Sequence, residues 1–558
     1  MFPCSPAARG FTLIELMISI AIALILIVGI NQVFSIAQKT AGAGNQLSQD
    51  VRDFRMFQGR VAQDARSIVL NDAPFFIIVG ESQPAFRNKS DQTAAPDPKD
   101  PTKVNNPFGG APIRYSLAAV NDRVHRIDRL MFFARDLFTR QTGNYLTISS
   151  ATSGYEAYLW YGHLRLPNNN TISSYHPDAP ALPLPSSLGW YSPGQLPDPS
   201  TQNGNDNNYF ASDWILGRQQ MLLIPPPGPL DPMGRSEPAN SNTQPQGILS
   251  MMTTPQSYGS ARQGIPHPVP IYASRYDVAL TSIDAYRQFV SFVSAPQWMK
   301  NQFGAWEWAG WRFLAFDSLN QSGSRSDARF YGNPFVQRAK PMGTTPVSAN
   351  QAQLYLAAGA AQAAPILVRG CTHFIVEYAG SFLKQDTNPT STTFGKILGP
   401  GPDDKGTIDF IAEPANGASG PPWTRRTRWY GFPRDIDGDG HISVFKNGGS
   451  SGAQSPDVLP LRDVLRFANP PLTALAFRQA TQFERQYPTQ NPSADYPTQG
   501  GPLGNFNSNS PDPLYVCAWG PDTTTLPRPK LLRITLAIDD PAARLNDAQM
   551  YEYVIELP

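Results

Sequence analysis

The sequence predicts an α+β chain: one long N-terminal helix carrying a large β-rich head broken by long loops. Three observations predict it. A nearly uncharged apolar run from Phe11 to Ile30 opens the helix. Apolar residues at spacings of three and four then continue it towards Leu70. Beyond Leu70 the pattern changes to short strand-like segments separated by turn-rich loops.

From Phe11 to Ile30 the only charge is Glu15. About 20 predominantly apolar residues suffice to cross a bilayer as a helix. We therefore place a spanning helix at residues 11–33 and an amphipathic one at 34–70. In the second part Leu47, Val51, Phe54, Phe57, Val61, Ala65 and Ile68 form one apolar face. Gln46, Asp50, Arg52, Asp53, Arg55, Arg60, Asp64 and Arg66 supply most of the polar remainder. Gly42 and Gly44 interrupt the join and would permit a bend.

The head, residues 71–558, reads as strands at Phe75–Val79, Ile113–Ala118, Arg126–Ala134, Tyr155–Leu166, Ile366–Phe382 and Leu531–Ile538. Tyr551–Leu557 pairs with the last of these across the turn chemistry of Asp539-Asp540-Pro541. Alternation of Leu532, Ile534, Leu536 and Ile538 with Arg533, Thr535 and Ala537 predicts one buried face. Ser82–Asn106, Pro167–Asn208, Pro225–Pro270 and Gln486–Pro513 are rich in Pro, Asn, Ser, Gly and Gln and read as surface loops. With 11 % aromatic and 16 % charged residues, the chain has the opposite balance to a disordered one. A formal net charge of +1 and no long basic run give no reason to expect a nucleic-acid partner.

The N-terminus admits three readings. A secretory signal would put its small-residue cleavage site after the apolar run. An ordinary anchor has no reason to carry an acid five residues into its span. The third reading rests on Gly10-Phe11-Thr12-Leu13-Ile14-Glu15, in which glycine, aromatic and acid stand in fixed register ahead of the spanning segment. This motif resembles that of type IV pilins and type II secretion pseudopilins. The resemblance implies a leader at residues 1–10, cut after Gly10 by a prepilin peptidase, and N-methylation of Phe11. It implies a pilin-like fold, an inner-membrane anchor with a periplasmic head, and assembly with other major and minor pilins into a surface pilus. Glu15 would meet the Phe11 ammonium of a neighbouring subunit, so that the two charges compensate only in register. The segments Tyr155–His163, Ala211–Arg218, Gly370–Gly380, Trp429–Gly431 and Leu532–Leu536 are similar to the large minor pilins of the PilW type and, more loosely, to GspJ pseudopilins. That similarity implies a structural subunit that initiates or caps the pilus tip. A GspJ-like role in secretion, or a pilin-anchored adhesin binding a surface ligand, are the alternatives.

Arg434-Asp435-Ile436-Asp437-Gly438-Asp439-Gly440-His441-Ile442 is the best chemical motif in the head. Alternate aspartates offer oxygens to one point, glycine allows the sharp turn, and the His441 backbone carbonyl adds a ligand, a set suited to Ca²⁺. The twelfth loop position is Lys446 rather than Glu, so a complete EF-hand is not expected. Asp457 or Asp463 would close the site; a metal-free Asp/Gly turn is the competing reading. Cys4 falls within the leader, leaving Cys371 and Cys517, an even pair in an oxidising compartment. A disulfide is expected, with two separate buried thiols as the alternative.

No catalytic constellation emerges. His125, His163, His176, His267, His373 and His441 form no HExxH and no zinc-spaced pair with Cys. Gly448-Gly449-Ser450-Ser451-Gly452 fits G-x-S-x-G in a Gly/Ser loop, without the strand and helix that a nucleophile elbow needs. Trp298, Trp306, Trp308 and Trp311 suit either core packing or an adhesive surface. The chain is read as a non-enzyme.

Overall fold

The computed structural model describes residues 12–70, 76–84, 124–139, 153–164, 211–223, 366–403, 405–414, 422–437, 442–446, 454–466, 483–487, 514–519, 527–540 and 548–558. It also describes short pieces at 253–254, 267–268, 278–279 and 282–283. The strand expected at Ile113–Ala118, the G-x-S-x-G string and the four clustered tryptophans lie outside these residues. So does most of each expected loop.

Helix α1 (Leu13–Arg66) is uninterrupted over 54 residues, passing through Gly42 and Gly44. At 1.5 Å per residue it is about 80 Å long. Thr12 caps it, and Glu15 completes a capping box. Eighteen strands follow among the described residues. They are β1 (Phe76–Pro84), β2 (Val124–Arg126), β3 (Arg129–Thr139), β4 (Ser153–Leu164), β5 (Ile215–Leu223), β6 (Thr253–Thr254), β7 (His267–Pro268), β8 (Val278–Ala279) and β9 (Ile366–Arg369). The rest are β10 (Cys371–Gly380), β11 (Leu383–Gln385), β12 (Ile397–Pro400), β13 (Phe410–Pro414), β14 (Trp423–Thr427), β15 (Phe483–Tyr487), β16 (Leu514–Trp519), β17 (Pro529–Ile538) and β18 (Gln549–Glu556). A short helix α2 (Leu461–Arg466) precedes β15.

The larger sheet runs β15-β16-β1-β3-β4-β5-β8, with β2 on β1 and β9 on β5. A second sheet, β10-β17-β18, is antiparallel throughout. Pairs β11-β12, β13-β14 and β6-β7 complete the set. One apolar core joins both sheets to the end of α1, with Phe57, Val61 and Ala65 meeting Phe132, Tyr161, Phe374 and Ile534.

The terminal pair forms as the alternation predicts, with Leu531 opposite Glu556 and Ile538 opposite Gln549. Leu532, Ile534, Leu536 and Ile538 are buried, but so are Thr535 and Ala537 on the other face. The continuous strand expected over Ile366–Phe382 breaks at Gly370. Its φ of +69° is left-handed, and a Cβ there would lie 2.2 Å from the Asp539 carbonyl oxygen. Ten of the described strands went unread: β5 to β8 and β11 to β16. In β5 the obstacle is Arg218-Gln219-Gln220, three successive polar residues that are all buried.

The expected Cys371–Cys517 disulfide does not form, and both residues are buried free thiols. Cys371 Sγ donates to the His373 carbonyl at 3.2 Å, and Cys517 Sγ lies 3.4 Å from Tyr378 Oη. Tyr378 is seven residues along β10 from Cys371, about 23 Å at strand rise. A bridge needs Cα atoms within about 7 Å.

Candidate functional site

The N-terminal motif is described from Thr12 onward; Gly10 and Phe11 lie outside the described residues. Glu15 Oε2 accepts from Thr12 N–H at 3.0 Å and from Thr12 Oγ1 at 2.9 Å. Glu15 N–H in turn donates to Thr12 Oγ1 at 3.4 Å. The carboxylate thus satisfies orphan donors at the helix start and sits where the helix dipole favours negative charge. This capping role went unread in the sequence, although Thr followed three residues later by Glu is its usual signal. It gives Glu15 a local partner in the single chain.

Behind Glu15 the helix is bare. Leu13, Ile14, Leu16, Met17 and the apolar residues through Ile36 are all exposed, Leu13 at 78 % and Ile25 at 72 %. This first stretch of α1 is long and apolar enough to cross a membrane.

The other end of α1 is embedded. Phe57 meets Tyr161, Phe374 and Tyr553 edge-on at 6.1–6.2 Å, and Phe54 stacks on Tyr551 at 4.6 Å. Of the predicted apolar face, Phe57, Val61, Ala65 and Ile68 are buried, whereas Leu47 is exposed. Asp50 and Asp64, read as part of the polar face, are both buried. Asp64 accepts from Arg218 Nε at 2.5 Å and Nη2 at 3.1 Å, and from Tyr161 Oη. The chain leaving the helix is stitched to β3 by Val69 N–H to Phe133 O at 2.9 Å and Arg135 N–H to Ser67 O at 2.8 Å.

The acidic loop is assembled by a two-way backbone bridge between Arg434 and Val458, 3.0 Å in each direction. That bridge sets Asp435 beside Asp457. Arg434 is itself anchored, its guanidinium 2.8 Å from the fully buried Glu377 of β10. Burial alone would raise the Glu377 carboxyl, but Arg434 and Arg533 hold it below its ordinary value. Oxygens of Asp435, Asp437 and Asp457 all lie within 4.8 Å of one another. Asp457 accepts from Ile436 N–H at 2.8 Å and Ser443 N–H at 3.1 Å, closing the loop's two ends. Its burial, with the Asp437 charge adding, pushes its carboxyl up to about 6. Asp463 lies on α2 and is not part of this group. Asp439 and His441 lie outside the described residues. The three that converge offer only oxygens, with exposed Asp437 leaving one side open, a donor set that fits a hard divalent cation.

Among the described residues, His125 and His163 fall into packing roles. His163 Nε2 donates to the Cys371 carbonyl at 2.8 Å, and both His125 and His163 pack edge-on to Trp214. Burial pushes His163 down to about 4.

The model of one family, the prokaryotic N-terminal methylation motif, matches residues 6–31. No curated protein and no solved structure matches the chain. The motif is the signal of type IV pilins and pseudopilins, and it supports a type IV pilin-like chain. It implies processing by a prepilin peptidase and assembly with other pilins. The long apolar helix on a sheet-dominated body is consistent with that family's α+β design and with an inner-membrane anchor. The motif points to a structural family rather than an enzymatic one.

Proposed function

We propose that this chain is a minor pilin of the PilW type, a structural subunit that helps initiate or cap a type IV pilus, its head periplasmic before assembly. The observation that carries this reading is the methylation motif at the head of a helix that is bare in front and embedded behind. A bare apolar stretch of this length needs lipid or neighbouring helices to cover it. Assembly exchanges the first for the second. The bulk of the head favours the tip, because every neighbour along a shaft would have to accommodate it. In the filament, Glu15 exchanges part of its local cap for the Phe11 ammonium of the adjacent subunit.

Deleting the gene and complementing with the full chain tests the reading. Loss of surface pili, restored by the wild-type chain and not by Glu15→Ala, is the expected result. Normal pili with lost attachment would favour the adhesin. Normal pili with exoproteins stranded in the periplasm would favour the GspJ-like role.

We also propose that Asp435, Asp437 and Asp457, with Asp439 and the His441 carbonyl, hold Ca²⁺ and rigidify the loop. The convergence of three carboxylates supports it. Calcium should raise the unfolding midpoint of the purified chain and leave an Asp435→Ala, Asp437→Ala variant unmoved. An equal response in both removes the metal.

A further inference from the structure

We propose that Asp64, Arg218 and Tyr161 form a positioning lock that fixes the angular setting of the head on α1, and so the direction the head faces relative to Glu15. The proposal rests on the assembly reading above and adds to it a group of residues remote from the processing motif.

Apolar contacts alone specify angle poorly. Phe57, Val61 and Ala65 hold one face of the helix on the core, but hydrophobic attraction in itself has no direction. The ion pair does have direction. Arg218 meets Asp64 through Nε and Nη2 together, the two-pronged geometry that admits one orientation. Tyr161 Oη donates to the same carboxylate from the neighbouring strand β4. All three side chains are nearly or fully inaccessible. Arg218 is in turn held on the sheet, donating from Nη1 to Gln220 Oε1 at 3.0 Å, while Gln220 Nε2 donates to the Thr139 carbonyl at 2.7 Å. The lock therefore ties α1 to strands β3, β4 and β5 at once.

A buried ion pair is weak evidence for stability, and its best-attested use is to specify register. Register here has somewhere to go. The helix is continuous from Asp64 back to Leu13, with no break at which rotation would dissipate. An angle set at Asp64 is transmitted to Glu15, whose partner lies on another subunit.

Insertions in the exposed stretch between Gln38 and Lys39 separate angle from length. Two alanines turn the head by about 200° relative to Glu15 and lengthen the helix by about 3 Å; four turn it by about 40° and lengthen it by about 6 Å. Full-length variants are expressed in the deletion strain, and the chain is followed in membranes and in sheared filaments. The lock predicts that the two-residue insertion is lost from filaments while the longer four-residue one is retained. Both should be cleaved at Gly10 like the wild type. Equal retention, or equal loss, would overturn the angular role.

Arg218→Lys tests the lock itself, since it keeps the charge but removes the planar fork. It should remain folded at growth temperature by near-UV circular dichroism, be processed normally, and enter filaments poorly. Asp64→Asn should behave alike. Folded variants that enter filaments at the wild-type level would overturn the lock. If neither variant folds, the insertion pair still decides whether head angle governs entry. A wild-type chain that is neither cleaved nor found in filaments would sink the assembly reading, and the lock's role with it.

Discussion

The two halves of α1 obey different physics within one continuous helix. From Leu13 to Ile36 the apolar residues face outward with nothing from the head upon them. From Phe54 onward the helix shares a core with two sheets, and even its Asp64 is buried. The first half has a sequence suited to a partner outside the chain; the second is part of the fold. Substitutions should therefore separate cleanly, the second half answering in stability and the first in assembly.

The largest effect should come from Phe57→Ala. It empties a site bordered by three aromatic rings, and a buried Phe-to-Ala change costs about 3–5 kcal/mol. Ile25→Ala, on the bare half, should leave head stability within about 0.5 kcal/mol. Chemical unfolding of the detergent-solubilised chain measures both. Equal losses would erase the distinction between the halves.

A smaller effect follows from His163, which burial holds down to about 4. A base whose folded value is depressed favours the neutral form on folding. Its contribution is complete above the ordinary value of 6.5 and is lost as pH falls from there towards 4, to a limit of roughly 3 kcal/mol. Denaturation midpoints at pH 7 and pH 5 should differ less in His163→Phe than in the wild type. Parallel slopes would show that the imidazole is not neutral in the folded chain.

Glu15→Ala should leave head stability unchanged, because the side chain touches only the first turn of α1. It should abolish entry into filaments, measured on the same cells. A folded, filament-incorporated Glu15→Ala chain would make the capping box its whole role. Reducing agent should have the smallest effect, none on the unfolding midpoint, since Cys371 and Cys517 are separate thiols. A fall in midpoint on reduction would reinstate the bridge.

What the sequence disclosed follows this same division. The bare half and its motif were legible because residues 10–15 are contiguous and the apolar run has no competing explanation. The docked stripe was legible from Phe57 to Ile68 because helical periodicity is local. Asp64 was misplaced because periodicity sorts residues by polarity and cannot foresee a buried partner 154 positions away; Asp50 is buried too, although its partner Gln46 is only four residues back. Strand β5 was hidden for the same reason, its Arg218 and Gln220 being the other end of that arrangement. The aspartate loop was visible as a local pattern, while Asp457 joins it through a backbone bridge that no local pattern announces. The cysteines misled because an even count states only that a bridge is possible; strand β10 carries the two sites apart.

The most direct test is the mass of the N-terminal peptide from sheared surface filaments and, separately, from membranes. The account predicts a peptide in the filaments beginning at N-methylated Phe11. An uncut Met1 terminus in both fractions would contradict it and leave a membrane-anchored protein that no prepilin peptidase processes.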